Sequence, residues 1–428
     1  MTMPTPSRNV GIIGTFAVLL LLFAVLVPGL AAQSDPSAGD GAAGNGAGEA
    51  ELFRFSYREG EQYRILSQVD QVVSVNGMFS HRADILNRIS VSVNEVAEGR
   101  GFHSVLYQHS SERSNSTGVY EYGEDYSSDY WRDARGRYDI APEEIVPVVI
   151  DVPVFPEDPL EVGETWVFEG KEIHDLFPQF GEAGIVTFPI PVTYEYLGER
   201  DYKDTSYPAF SVQYNVFYRP EARPEAPIFA TLITGQSDQV MYWDPDFGRP
   251  HAYEEDYYFQ FSFSDGRTMT FEGSAEAEVV ESTPLDKERV TEEIQKDLEE
   301  LDVPDTDVRS DERGVTITLQ DIQFPPDSAF LRDSEKNKLD RIGDILRRYP
   351  ERDILITGHT ALAGTAQGRQ QLSEQRAAAV GQYLLETEVR DPSRLLYRGM
   401  GAREPIADNG SVEGMRRNRR VEITILEN

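Results

Sequence analysis

The chain has 428 residues and a mass of 48.2 kDa, enough for two or three domains with cores of their own. It contains no cysteine, which excludes disulfides and thiolate metal sites, and its six histidines never fall at metal-ligand spacing. The formal net charge of −34 disfavours nucleic acid and anionic headgroups as partners. Basic and acidic residues balance from Val315 onward, so the excess lies upstream.

Arg8 precedes an uncharged apolar run over 11–27, followed by Pro28, Gly29 and the small residues Ala31 and Ala32. A charged start, an apolar stretch and a small-residue cleavage site describe a secretory signal over 1–32. The run is also long enough for an uncleaved anchor, and either reading exports the rest of the chain. Residues 33–50, rich in Gly, Ala, Ser and Asp, read as a flexible linker.

From there to residue 283, short alternating stretches rich in Tyr, Phe, Val and Ile are separated by turn residues, which predicts an all-β region. Asn76-Gly77 and Glu98-Gly99 mark turns between strands. In FQFSFSDGRTMTF, a three-residue loop with Gly266 left-handed pairs Phe261 with Met269 and Phe259 with Phe271, gathering four apolar side chains on one face. Five prolines from Pro142 to Pro159 exclude a central strand and predict an extended crossover. That crossover divides the region into a β unit over 51–140 and a second over 141–283.

Two acidic and aromatic clusters carry Asp125, Asp129, Asp244, Asp246, Glu254 and Glu255. Carboxylates of this kind bind calcium or work as acid and base, but neither cluster has the spacing of a calcium loop, and solvated acidic loops are the expectation. There is no GxSxG elbow, phosphate loop or metal motif, so no catalytic residue, metal or cofactor is expected.

Past Pro284, Leu285, Val290, Ile294, Leu298 and Leu301 line one side of a helix, and a polar run extends from it to Gly314. The stretch 284–314 thus reads as a helical connector and linker. Beyond it the elements alternate. VTITL is a strand, a helix from Asp333 or Ser334 turns Leu339, Ile342 and Leu346 inward, and ILITG is a second strand. A second helix has Leu372, Val380 and Tyr383 as its inward stripe, with Arg376 on the same side. Tyr397 opens a third strand, and RRVEITIL closes the chain with Arg419, Val421, Ile423 and Ile425 on one face. This alternation predicts an α+β sheet with helices packed on it.

Five pieces in this order carry a resemblance: FPPDSAFL, GHT followed by Gly364, LSEQRA from Leu372, REPIADN, and EGMRRNRRVEI. Together they resemble the OmpA-like domain family, the peptidoglycan-associated module of Gram-negative envelope proteins, over about 315–428. The resemblance implies a clasp for the diamino acid of the peptidoglycan stem peptide. By position, Arg376 and Arg419 match its carboxylate-binding arginines and Thr360 its threonine. Ala361 stands where the family has the aspartate that meets the ligand ammonium, Arg369 where an asparagine is usual, and Pro325 where an aspartate often occurs. His359 belongs to the pattern as a structural residue.

The expectation is an exported, non-enzymatic envelope protein, in the periplasm or at the outer membrane, that associates with peptidoglycan and has other envelope or outer-membrane proteins as further partners. The alternatives are an interaction protein that keeps this fold without diaminopimelate binding, and an outer-membrane β-barrel followed by a periplasmic OmpA-like domain.

Overall fold

A computed structural model describes residues 50–113, 118–175, 185–280, 285–311, 313–320 and 328–427. The signal, nearly all of the linker, and Pro325 lie outside the described residues. The described residues form two compact units, one built from 50–109 with residues from 124 to 280, the other from residues 110–123 with those from 285 to 427.

The first unit is antiparallel β. Its strands are β1 (Gln62–Val75), β2 (Met78–Ala97), β3 (Arg100–Arg113), β4 (Tyr120–Arg132), β5 (Tyr138–Ile140), β6 (Val149–Ile150), β7 (Thr165–Asp175), β8 (Ile185–Tyr202), β9 (Thr205–Tyr218), β10 (Ala230–Asp244), β11 (Arg249–Phe263) and β12 (Thr268–Val280). A continuous ladder runs from β6 through β7 to β12 and on through β1 to β2. Asn76 and Gly77 are both left-handed, the geometry that a two-residue hairpin needs. The β11–β12 hairpin has the expected register, Phe259 with Phe271 and Phe261 with Met269, over a left-handed Gly266.

The division expected at residue 141 falls within one of the two compact units. Residues on both sides belong to one unit, and β12 pairs along its whole length with β1. The proline run does interrupt regular structure, leaving only the two residues of β6 as strand.

Alternation decides what this sheet faces. Phe188, Ile190, Val192, Tyr194, Phe210, Phe259, Phe261 and Phe271 are fully buried in one apolar core. The opposite positions carry Thr187, Pro189, Thr193, Gln213, Glu254, Glu272 and Glu276, all exposed. Among these strands Val167, Ile185, Phe217 and Tyr258 are also exposed.

The second unit contains helix α1 (Lys287–Glu300), β13 (Thr306–Asp311), β14 (Gly314–Gln320), α2 (Asp333–Leu346), β15 (Ile354–Gly358), α3 (Ala366–Glu386), β16 (Leu395–Gly399), α4 (Val412–Asn418) and β17 (Arg420–Leu426). The sheet order is β13-β14-β17-β15-β16, antiparallel except between β15 and β16. Tyr120 and Glu121 add a short parallel pairing to β16, and Val119 is buried in the same core. Val290, Ile294 and Leu298 of α1 join Leu339, Ile342 and Leu346 of α2 in that core. The helix read as a connector is therefore part of the C-terminal unit, with Leu301 exposed at its C-cap. The polar run before Gly314 also differs from expectation: it is β13, an edge strand with one bonded neighbour, which tolerates polar side chains that a central strand would not.

Candidate functional site

Close backbone packing builds the site. A Cβ at Gly358 would lie 2.1 Å from the Ser373 carbonyl oxygen, so α3 can cross the end of β15 only at glycine. Ser373 Oγ accepts the Gly401 amide at 2.8 Å, and the loop after β16 is thereby tied to the same turn of helix. This contact also corrects the expected inward stripe of α3. The buried side is Ser373, Arg376, Ala377, Val380, Gly381 and Leu384, because small residues let the helix approach the sheet. Leu372 and Tyr383 are half-buried, and the Tyr383 hydroxyl donates to Asp340 Oδ1 at 2.7 Å.

Arg376, one turn beyond Ser373, is 9% exposed and donates its Nε hydrogen to the Ser328 carbonyl at 3.1 Å. Past Gly358 the pairing with β17 continues, since the His359 amide donates to the Arg420 carbonyl at 3.0 Å. The Thr360 amide donates to the Gly401 carbonyl at 2.8 Å, while its hydroxyl is buried without a hydrogen-bond partner.

Arg419 is not on the core side of β17 as the alternation predicts. Helix α4 runs to Asn418, Arg419 is its C-cap with φ −81° and ψ 88°, and the strand begins only at Arg420. Arg420 is buried at 3% exposure, whereas Arg419 is exposed and its side chain bonds no described residue. Ala361 is buried and offers a methyl group where the family has a carboxylate. Arg369 donates from Nη1 to the Gly364 carbonyl at 2.6 Å, joining the loop to the start of α3, whose N-cap Thr365 accepts the Gly368 amide at 3.0 Å.

Two groups escaped the sequence reading. Asn418 is fully buried: its Oδ1 accepts the amides of Ile406 and Ala407 at 2.8 and 2.9 Å, and its Nδ2 donates to the Ala407 carbonyl and Asn409 Oδ1 at 2.8 and 3.0 Å. One side chain thus holds the loop from Ile406 to Asn409. Beneath the site, Glu422 at 3% exposure accepts from Nη1 and Nη2 of Arg309 at 3.2 and 2.9 Å and from Arg420 Nε at 2.7 Å. His359 Nε2 stands 3.7 Å away. Burial pushes the Glu422 carboxyl up, but the approach of His359, Arg309 and Arg420 outweighs it and holds the group well below the usual carboxylate range. Burial lowers the His359 proton affinity, so the imidazole is neutral near neutral pH. Arg420 and His359 serve this internal network, which leaves Arg419 as the outward cation of the pair Arg419-Arg420.

The sequence profile of the OmpA family matches residues 323–419, from the segment before α2 to the C-cap of α4. The C-terminal unit carries an OmpA family domain. Outer membrane protein A of Bordetella avium is 38% identical over 106 residues, 25% of this chain and 54% of that protein. YiaD of Escherichia coli (strain K12) is 31% identical over 137 residues, 29% of this chain and 62% of its own length. Peptidoglycan-binding protein ArfA of Mycobacterium tuberculosis (strain ATCC 25618 / H37Rv) is 35% identical over 109 residues, 26% of this chain and 33% of that protein. The chain spans less than two thirds of each of these relatives.

Buried polar groups also collect outside the OmpA-like domain. In the core of the β unit, His174 Nε2 lies 2.6 Å from Glu172 Oε2 and Ser237 Oγ donates to Glu255 Oε1 at 3.0 Å. Glu172 and His174 share a face of β7 with Trp166 and Phe168, an alternation visible in TWVFEGKEIHD that marks them as inward. The other acidic cluster residues have separate tasks. Asp244 accepts the amides of Asp246 and Phe247, Glu254 accepts the Tyr242 hydroxyl at 2.8 Å, and Asp129 accepts Ser104 Oγ at 2.5 Å. Among the described residues, no three His, Asp or Glu side chains are placed to hold a metal ion.

Proposed function

We propose that this chain is an exported, non-enzymatic cell-envelope protein whose OmpA-like domain holds the peptidoglycan stem peptide non-covalently. Arg419 and Arg376 take a ligand carboxylate, and the Thr360 hydroxyl lies between the segments that carry them. The observation that supports this best is Arg419, an exposed guanidinium whose side chain bonds no described residue, together with the Thr360 hydroxyl, which is buried and also has no partner among the described residues. Guanidinium is the cation suited to a carboxylate, because its fork makes two parallel bonds. The β unit is then stationed at the wall, within reach of other envelope or outer-membrane proteins.

The test is retention of the full chain on purified peptidoglycan. The unchanged protein is retained, Arg419→Gln weakens retention about tenfold through loss of a charge-assisted bond, and Arg376→Lys weakens it because an ammonium cannot reproduce the fork. A wild-type chain that is not retained, or an Arg419→Gln variant retained equally, overturns the reading. Ala361 favours a second reading, a domain that keeps the fold and has lost diamino-acid recognition. Under it, only Ala361→Asp produces retention.

A further inference from the structure

A zwitterionic ligand needs an anion as well as a cation, and Ala361 cannot supply one. The structure contains another candidate in the loop that faces it. The Thr360 amide is bound to the Gly401 carbonyl at 2.8 Å and the Leu362 amide to Asn409 Oδ1 at 3.0 Å. The segment 360–362 is therefore laid along the loop 401–409 and fixed at both ends, and Glu404 lies between the two anchor points. Its carbonyl accepts Arg420 Nη1 at 3.1 Å, one residue from Arg419. Its carboxylate is exposed and bonds no described residue.

Nearby carboxylates are engaged elsewhere. Asp408 accepts the Gly410 amide at 2.9 Å, Glu413 pairs with Arg416 at 2.9 Å, and Glu374 accepts Gln370 Nε2 at 2.6 Å. Glu404 and Arg419 are opposite charges on adjoining segments, yet they are not paired with each other. A ligand carrying both signs satisfies both.

Resting on the peptidoglycan reading, we propose that Glu404 supplies the anionic half of the clasp, receiving the free ammonium of the stem-peptide diamino acid in place of the residue missing at 361. The loop then decides specificity, and Asn418, which holds that loop, is a positioning residue.

The experiment compares the full chain with its Glu404→Gln variant on purified peptidoglycan and on the same material with its free amines N-acetylated. Glu404 is exposed and unbonded, so an unchanged melting temperature confirms that the variant is folded. The expected result is a loss of about tenfold for Glu404→Gln on native peptidoglycan, the same loss for wild type on acetylated peptidoglycan, and no further loss when the two are combined. Adding Ala361→Asp to Glu404→Gln regains binding to native peptidoglycan only. Equal binding of wild type and Glu404→Gln, or an acetylation effect of the same size in both, overturns the role of Glu404 while leaving the Arg419 reading intact. A wild-type chain that does not bind native peptidoglycan overturns both.

Discussion

Replacing Glu422 by Gln keeps its shape and removes its charge, which isolates the ion network under the site. The carboxylate is 3% exposed and joins three elements: β13 through Arg309, its own strand through Arg420, and the exit of β15 through His359. Arg420 is equally buried, so the variant leaves it with the Glu404 carbonyl at 3.1 Å and without a counter-charge. Breaking a buried ion pair from one side typically costs about 3 to 5 kcal/mol. The Arg309 side chain is 40% exposed and turns to water, which favours the lower figure of about 3 kcal/mol. For a unit of 150 to 250 residues, about 2 to 4 °C per kcal/mol predicts a fall of roughly 6 to 12 °C in the melting of the C-terminal unit. Calorimetry of the full chain measures this, with Arg309→Gln as the companion, expected to cost less than about 1 kcal/mol. The pH dependence has a definite sign. The folded carboxyl is held low, so its contribution is complete above the unfolded value of about 4.3 and is lost as pH falls below it. Glu422→Gln therefore flattens the acid limb. Melting within about 2 °C of wild type, or an Arg309→Gln loss equal to that of Glu422→Gln, refutes the reasoning.

Glu255 behaves in the opposite sense. Burial raises its carboxyl well above the usual range, so its folded form gives most stability at low pH and loses it as pH rises. Glu255→Gln retains an acceptor for Ser237 and should raise the melting temperature of the β unit more at pH 8 than at pH 5; an equal change at both sinks the explanation. Asn418→Ala removes four hydrogen bonds from a fully buried side chain and should cost about 2 to 4 kcal/mol. It should also weaken retention on peptidoglycan at temperatures where the domain remains folded, a loss that Asn418→Asp repairs only in part because it cannot donate to Ala407.

Alternation alone was enough for the β11–β12 register, since slipping Phe259 and Phe261 by one residue would turn both rings to water. The core helices and strands of the C-terminal unit were legible for the same reason: apolar spacing reports which face is dry, and Leu339, Ile342, Ile354 and Ile423 are indeed fully buried. The ordered set of motifs carried the family, because loops clamped by Gly358, Ser373 and Asn418 tolerate few alternatives. What spacing does not encode is which strands meet. Residues that pair in β1 and β12 are separated by most of the β unit, and nothing local in either distinguishes one unit from two. Nor does it encode where a helix stops and a strand begins. Arg419 and Arg420 are identical in type and adjacent, yet the C-cap geometry of α4 turns one to solvent and the strand carries the other to Glu422. Periodicity assumes one regular element, and the arginine proposed to hold the ligand lies at the junction of two, where only the folded chain assigns direction.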